Sequence, residues 1–341
     1  MAHKYHRPLL VFYLAHPPVK GDRGQDFRTL SGAPSPDYDP QLDALIRDVR
    51  VRQGLVKSLV EDDDPQPLPF IASQTMKSTA EAVAKSVCET VGFDIKKFRA
   101  ARTAGAAFAY LRSTIEAHGI FVLLIGNLGS HHSNIGAKTF RGFAIADAVA
   151  PFIVINDQDA RAAWSFTALH EVAHLWLGTS GVSGSSAEAK IERFCNDVAG
   201  RILLPSHELS SLADLSSVSL ADAIERISEF ASERNISRRM VAYQLMRLST
   251  IDSQRYTELT DHFYGDWIAS RARSKEAAGD DAGAPSFYVV RRHRLGQALI
   301  GLVTRSLNEG VLTYSKAAQL LGVKLRTVEP LLREVQARGD A

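Results

Sequence analysis

Phe166-Thr167-Ala168-Leu169-His170-Glu171-Val172-Ala173-His174-Leu175-Trp176-Leu177-Gly178 is the stretch on which the reading of the chain turns. Its apolar residues, with Trp164 just ahead of them, cover most of a helical circumference, which predicts a buried central helix. Each residue of an α-helix advances about 100°, so with His170 at 0° His174 lies at about 40°, one turn on, and Glu171 at about 100°. All three polar side chains fall in one sector. A Glu and two His inside such a helix are destabilising unless something satisfies them. Two imidazoles one turn apart can share a metal ion, and the carboxylate beside them can reach a water on it.

Catalytic zinc usually takes three protein ligands and leaves one position for water, so a third ligand is needed. Ser185 to Leu204 reads as a second helix. Ser185 with Glu188 forms a capping box, Ile191, Phe194, Cys195, Val198, Ile202 and Leu203 recur at helical spacing, and Pro205 ends the run. Glu192 falls at the edge of that apolar stripe, where a carboxylate is either a ligand or one half of a buried pair. Behind an H-E-x-x-H helix, we read it as the third ligand of Zn2+. Asn196, one turn further, either braces a ligand as an outer partner or packs as an interhelical amide.

These two helices, F-T-A-L-H-E-V-A-H-L-W-L-G and I-E-R-F-C-N-D-V-A-G-R-I-L-L-P, resemble the ImmA/IrrE metallopeptidase family. The family's second helix reads E-x-x-A-N-x-F-A and ends in Leu-Leu-Met-Pro or close to it. Glu192, Asn196, Ala199, Leu203, Leu204 and Pro205 match, while Cys195 stands for the usual Ala and Val198 for the usual Phe. Gly142 to Ile145 and Pro151 to Asn156 resemble the strands ahead of the zinc helix, so the likeness covers roughly residues 105 to 250. It implies an α+β, mostly helical fold: a zincin-like metallopeptidase core with a small β-sheet packed on the H-E-x-x-H helix, followed by a C-terminal helical segment. It also implies a cytoplasmic zinc endopeptidase of the kind found in prokaryotes and their mobile elements. Several members act on a partner transcriptional repressor and relieve repression. Many carry an N-terminal helix-turn-helix, and none is read here.

The chain's 341 residues allow one large or two modest domains. A net charge of +2 points to neither nucleic acid nor membrane. Two cysteines, Cys88 and Cys195, make no disulfide framework, which fits a reducing compartment. No apolar run approaches the roughly 18 residues of a membrane span, and Pro17, Pro18 and Lys20 break the short N-terminal run, so no signal peptide is read.

In order, residues 1–76 read as an N-terminal extension: an edge strand from Pro8 to Leu14, a Pro- and Gly-rich loop, a helix from Gln41 to Leu59, and a solvated linker at Glu61 to Asp64. The metallopeptidase domain is expected over 77–270. Helices are expected there from Ser78 to Val91 and from Gly105 to His118, then strands at Ile120 to Ile125, Phe143 to Ile145 and Phe152 to Ile155. Asp157 or Asp159 is expected to cap the zinc helix. Adjacent His131 and His132 point apart on most backbones and make a poor chelating pair. Further helices follow at 220–231, 237–248 and 254–270. Arg238, Arg239 and Arg247 there either hold a substrate backbone or form a solvated face. Residues 271–285 read as a linker. The segment 286–341 carries nine Lys and Arg against four acids, and Thr313 to Gln336 has the spacing of a helix-turn-helix. DNA contact and a packing hairpin both fit it, and the hairpin is the simpler reading, because Pro330 is expected only in a first helical turn.

The chemistry expected is peptide hydrolysis. His170, His174 and Glu192 hold zinc, and Glu171 takes a proton from the attacking water and passes it to the leaving amine. His207, Tyr243 and Tyr264 suit an oxyanion donor by type alone. The competing reading is a regulator that binds a protein or DNA and has weak or conditional peptidase activity. Zinc hydrolysis of a small molecule also fits H-E-x-x-H.

Overall fold

The computed structural model describes residues 40–62, 65–179, 186–277 and 286–339. Thirteen α-helices surround one three-stranded sheet among these residues. In chain order they are α1 (Pro40–Glu61), α2 (Ala80–Val91), α3 (Ile95–Arg99) and α4 (Ala104–Glu116). Strands β1 (Phe121–Leu124), β2 (Gly142–Ile145) and β3 (Phe152–Ile155) come next, followed by α5 (Arg161–Leu177) and α6 (Ser186–Leu203). Then come α7 (Leu220–Glu233), α8 (Arg238–Arg247), α9 (Ser253–Ala277), α10 (Phe287–Leu295), α11 (Gln297–Asn308), α12 (Tyr314–Leu321) and α13 (Leu325–Gly339). This is the mostly helical α+β architecture, with a small sheet against the H-E-x-x-H helix. The strand read at Pro8 to Leu14 lies outside the described residues, as do Ser185 and the side chain of Glu188.

Strand β3 is central, paired in parallel with β1 and antiparallel with β2, which leaves β2 on an edge. The side-chain alternation of a strand decides what each face covers. Val122, Leu124, Ala144, Ile153 and Ile155 join the core that contains α5 and α6. Phe121, Leu123, Phe143, Phe152 and Val154 join a second core with α1 and α10–α13. The sheet is therefore a middle layer, buried on both sides, and its strands read as continuous apolar runs.

The segment 286–339 closes the second face of the sheet. Buried Arg112 of α4 donates to the carbonyl oxygens of Val122, His293 and Arg294, and it pairs with Glu116 at 3.1 Å. Arg294 pairs with Asp157 at 2.6 Å. Burial works against ionisation of both Arg112 and Glu116, and each offsets part of that cost for the other. The expected helix-turn-helix spacing appears as α12 and α13, with Gly322 in the left-handed region (φ 58°) and Ala317, Leu321, Val328 and Leu331 buried. Pro330 sits well inside α13 rather than in its first turn, so the bond from position 330 to the Arg326 carbonyl is missing there.

Boundaries shift elsewhere for local reasons. Thr79, not Ser78, caps α2 by accepting from the Ala82 amide. The short helix α3, capped by Asp94, carries too few residues for periodicity to show. Helix α9 runs on to Ala277, through positions read as linker, and Arg271 on it donates to the backbone and side chain of Gln158.

Candidate metal centre

Helix α5 is buried from Ala163 to Trp176, with Ser165, Thr167, His170, Glu171 and His174 as its buried polar residues. Its C-terminal half is anchored by Trp176, which stacks on Phe70 at 4.6 Å between ring centroids and donates to Ser86 Oγ. No side chain caps its N-terminus. This corrects the expectation for Asp157 and Asp159: Asp157 pairs with Arg294 at 2.6 Å, and Asp159 Oδ1 accepts from the Ala160 amide at 2.8 Å, ahead of the first helical turn. The helix stops at Gly178, which adopts φ 63° and returns its N–H to the His174 and Leu175 carbonyls. A Cβ there would lie 2.5 Å from that of Ala72, so both the turn and the close approach require glycine.

The turn delivers Thr179 to the site. Its Oγ1 lies 3.0 Å from His174 Nδ1. With the proton on Nδ1 the hydroxyl accepts it, and Nε2 keeps its lone pair for a metal. Nothing in the spacing of Thr179 announces this role, because it depends on the left-handed turn at Gly178.

Helix α6 lies across α5 and buries Cys195, Val198, Ala199, Ile202 and Leu203. That stripe turns Glu192, one quarter exposed, towards the two imidazoles. His170 Nε2 and His174 Nε2 are 3.1 Å apart. Glu192 Oε2 is 3.2 Å from the first and its Oε1 is 3.3 Å from the second. A tetrahedral ion about 2.0–2.1 Å from its ligands needs them about 3.3–3.4 Å apart, and all three edges come close to that. Protons fit this triangle poorly, since one N–H cannot point along two edges some 60° apart. Lone pairs converging on a common point fit it well. Among the described residues this is the group of His, Cys, Asp and Glu able to hold an ion, and its three members leave a fourth position open.

Glu171, next to His170 on α5, is fully buried. Its Oε1 presses on the first residue of β2, where a Cβ on Gly142 would lie 2.8 Å from Oε1, 2.6 Å from Thr167 Cγ2 and 3.0 Å from the Val154 carbonyl. Gly142 is thus a residue the site depends on. A glycine opening an edge strand is its only sequence signal. The loop leading to it is pinned by buried Asn156, whose amide donates to the Ile135 and Phe140 carbonyls at 3.0 Å each.

Asn196 is half-buried on α6, one turn beyond Glu192. Its Oδ1 is buried without a hydrogen-bond partner among the described residues. The outer contact seen to His174 comes from Thr179. His132 is exposed and outside the metal group, and the side chain of His131 is not described. Of the three oxyanion candidates, His207 is exposed, Tyr243 packs edge-on against Tyr256, and Tyr264 lines a separate cavity. Arg247 is held by Asp197 at 2.7 Å and Arg238 by Asp266 at 2.9 Å.

The buried H-E-x-x-H helix, the carboxylate from the next helix and the sheet beside them define a metallopeptidase-like domain. Residues 116–246 match the model of a peptidase family described as IrrE N-terminal-like domain. This part of the chain is therefore an ImmA/IrrE-family domain. No match to a curated protein or to a solved structure was found. No helix among the described residues is long and apolar enough to cross a membrane.

Proposed function

We propose that the protein is a zinc-dependent endopeptidase that cleaves a partner transcriptional repressor. The observation that carries the peptidase reading is the near-equilateral triangle of His170, His174 and Glu192 on a helix that also buries Glu171, the residue next to His170. Zinc held there would polarise the scissile carbonyl and lower the pKa of water towards 7. The chain's own residues do the rest. Glu171 accepts the proton of the attacking water on a carboxylate oxygen and returns it to the leaving amine. Gly142 and Thr167 fix where that carboxylate stands. Thr179 holds the ring of His174. The buried wall of β2 and α5 keeps bulk water from the proton path. A repressor as substrate rests on the resemblance of the two helices to the ImmA/IrrE family.

The test compares wild type with Glu171→Gln on a repressor-type protein encoded beside this chain's gene, with zinc content measured in both. The variant keeps the shape and loses the base. It should retain zinc and lose cleavage by roughly 10²–10⁴-fold. Equal cleavage by the two proteins would refute the assignment of Glu171.

A further inference from the structure

A second cavity, of about 700 Å³, opens at the other end of α5, between the loop before β2 and helices α7, α8 and α9. That volume lies in the range of small-molecule sites. Alanines at 137, 160, 162, 163 and 231 leave it room. It belongs neither to the His170–His174–Glu192 cluster nor to the chemistry proposed for it.

Its charge is uneven. Lys138, Arg141, Arg238, Arg239 and Arg271 face two carboxylates, Asp159 and Asp266. Asp266 is occupied by Arg238 at 2.9 Å. Asp159 holds Arg141 only loosely, at 3.5 Å, and the buried Nε of Arg141 has no hydrogen-bond partner. Among the described residues no carboxylate pairs with Arg239. Burial makes the charge on Arg141 costly; Asp159 offsets part of that cost and neighbouring Arg239 adds to it. Two neighbouring guanidinium groups, one of them with a single loose counter-ion, are stabilised by an anion placed against both.

The lining is also aromatic. Tyr264 and Trp267, one face of α9, stand 5.8 Å apart at an interplanar angle of 41°, and Tyr264 is over a third exposed. Lys138 lies over the Tyr264 ring at 4.7 Å. Arg271 lies over the Trp267 ring at 5.6 Å, so a planar anion entering here meets aromatic rings and cations together.

We infer that this cavity binds a small aromatic anion, with Arg141 and Arg239 holding its phosphate or carboxylate and Tyr264 and Trp267 holding its ring. The inference is independent of the peptidase reading, since neither zinc nor Glu171 takes part in it.

The test is isothermal titration calorimetry on the full zinc-loaded chain with four probes: phenyl phosphate, benzoate, inorganic phosphate and benzyl alcohol. One of the two aromatic anions should bind at one per chain, at least tenfold more tightly than inorganic phosphate and benzyl alcohol. Which of them binds decides between phosphate and carboxylate. Arg239→Gln should weaken that binding at least tenfold, Arg239→Lys should restore part of it, and Trp267→Leu should weaken the aromatic anions without changing inorganic phosphate. Zinc content and melting temperature without ligand should match wild type in the Arg239 variants, which separates this site from anion binding at the metal. Absence of binding by both aromatic anions would overturn the inference. So would equal binding by benzyl alcohol, or undiminished binding in Arg239→Gln.

Discussion

Gly142→Ala adds one methyl group at the point where β2 meets the candidate metal centre. The new Cβ would lie 2.6 Å from Thr167 Cγ2, 2.8 Å from Glu171 Oε1 and 3.0 Å from the Val154 carbonyl. None of these is the free end of a mobile side chain. Thr167 and Glu171 are buried on α5, and Val154 is central in the sheet. Gly142 itself sits in a strand with no positive φ, so the penalty is steric rather than conformational. Overpacking of this kind costs about 1–3 kcal/mol, and we expect that loss in chemical denaturation. The proposed zinc ligands are other residues of α5 and α6, so zinc content should stay near wild type. Cleavage should fall about 10²-fold or more, because the contact acts on the carboxylate that handles the proton and small misplacements are costly. Thr167→Ser in the same background removes the methyl neighbour and should recover stability while leaving cleavage low. Wild-type cleavage in Gly142→Ala, or full recovery of cleavage in the double variant, would refute the claim that Gly142 sets the position of Glu171.

Thr179→Val removes the partner of His174 Nδ1 and should weaken zinc affinity by about 10–100-fold in a competition titration, with far-UV circular dichroism unchanged. Asn156→Ala leaves the buried Ile135 and Phe140 carbonyls without their donor and should cost about 1–3 kcal/mol or more in urea denaturation. Glu208 is partly buried, which alone would raise its pKa, but hydrogen bonds from Arg99 and Arg234 outweigh burial and hold it below the ordinary 4.5. A depressed carboxylate stabilises the fold above its unfolded pKa. Glu208→Gln should therefore be less stable than wild type at pH 7, and the gap should close as pH falls below 4.5 through the folded value. A gap that widens on acidification would contradict this.

The His170–His174–Glu192 cluster was legible in the sequence because its members are fixed by helical period. His170 and His174 are one turn apart, and Glu192 sits on the rim of a stripe whose apolar side had to face α5. The sheet was legible because its strands, buried on both faces, are unbroken apolar runs. What the period could not show depends on turns and tertiary approach. Thr179 reaches His174 only through the left-handed turn at Gly178, and Gly142 matters only because β2 runs under Glu171. The cap of α5 was misread for a related reason: Asp157 has the right chemistry, but Arg294, distant in sequence, pairs with it, and the Asp159 carboxylate accepts from the Ala160 amide. The same holds for 286–339, whose basic composition drew attention while its apolar residues close the second face of the sheet.

The central claim is that His170, His174 and Glu192 together hold one zinc ion. Zinc stoichiometry by inductively coupled plasma mass spectrometry, after loading and exhaustive dialysis, tests it most directly. Wild type and Glu171→Gln should each retain about one zinc per chain. His170→Ala, His174→Ala and Glu192→Ala should each lose most of it while keeping helical circular dichroism. Full zinc retention by Glu192→Ala would contradict the ligand set described here.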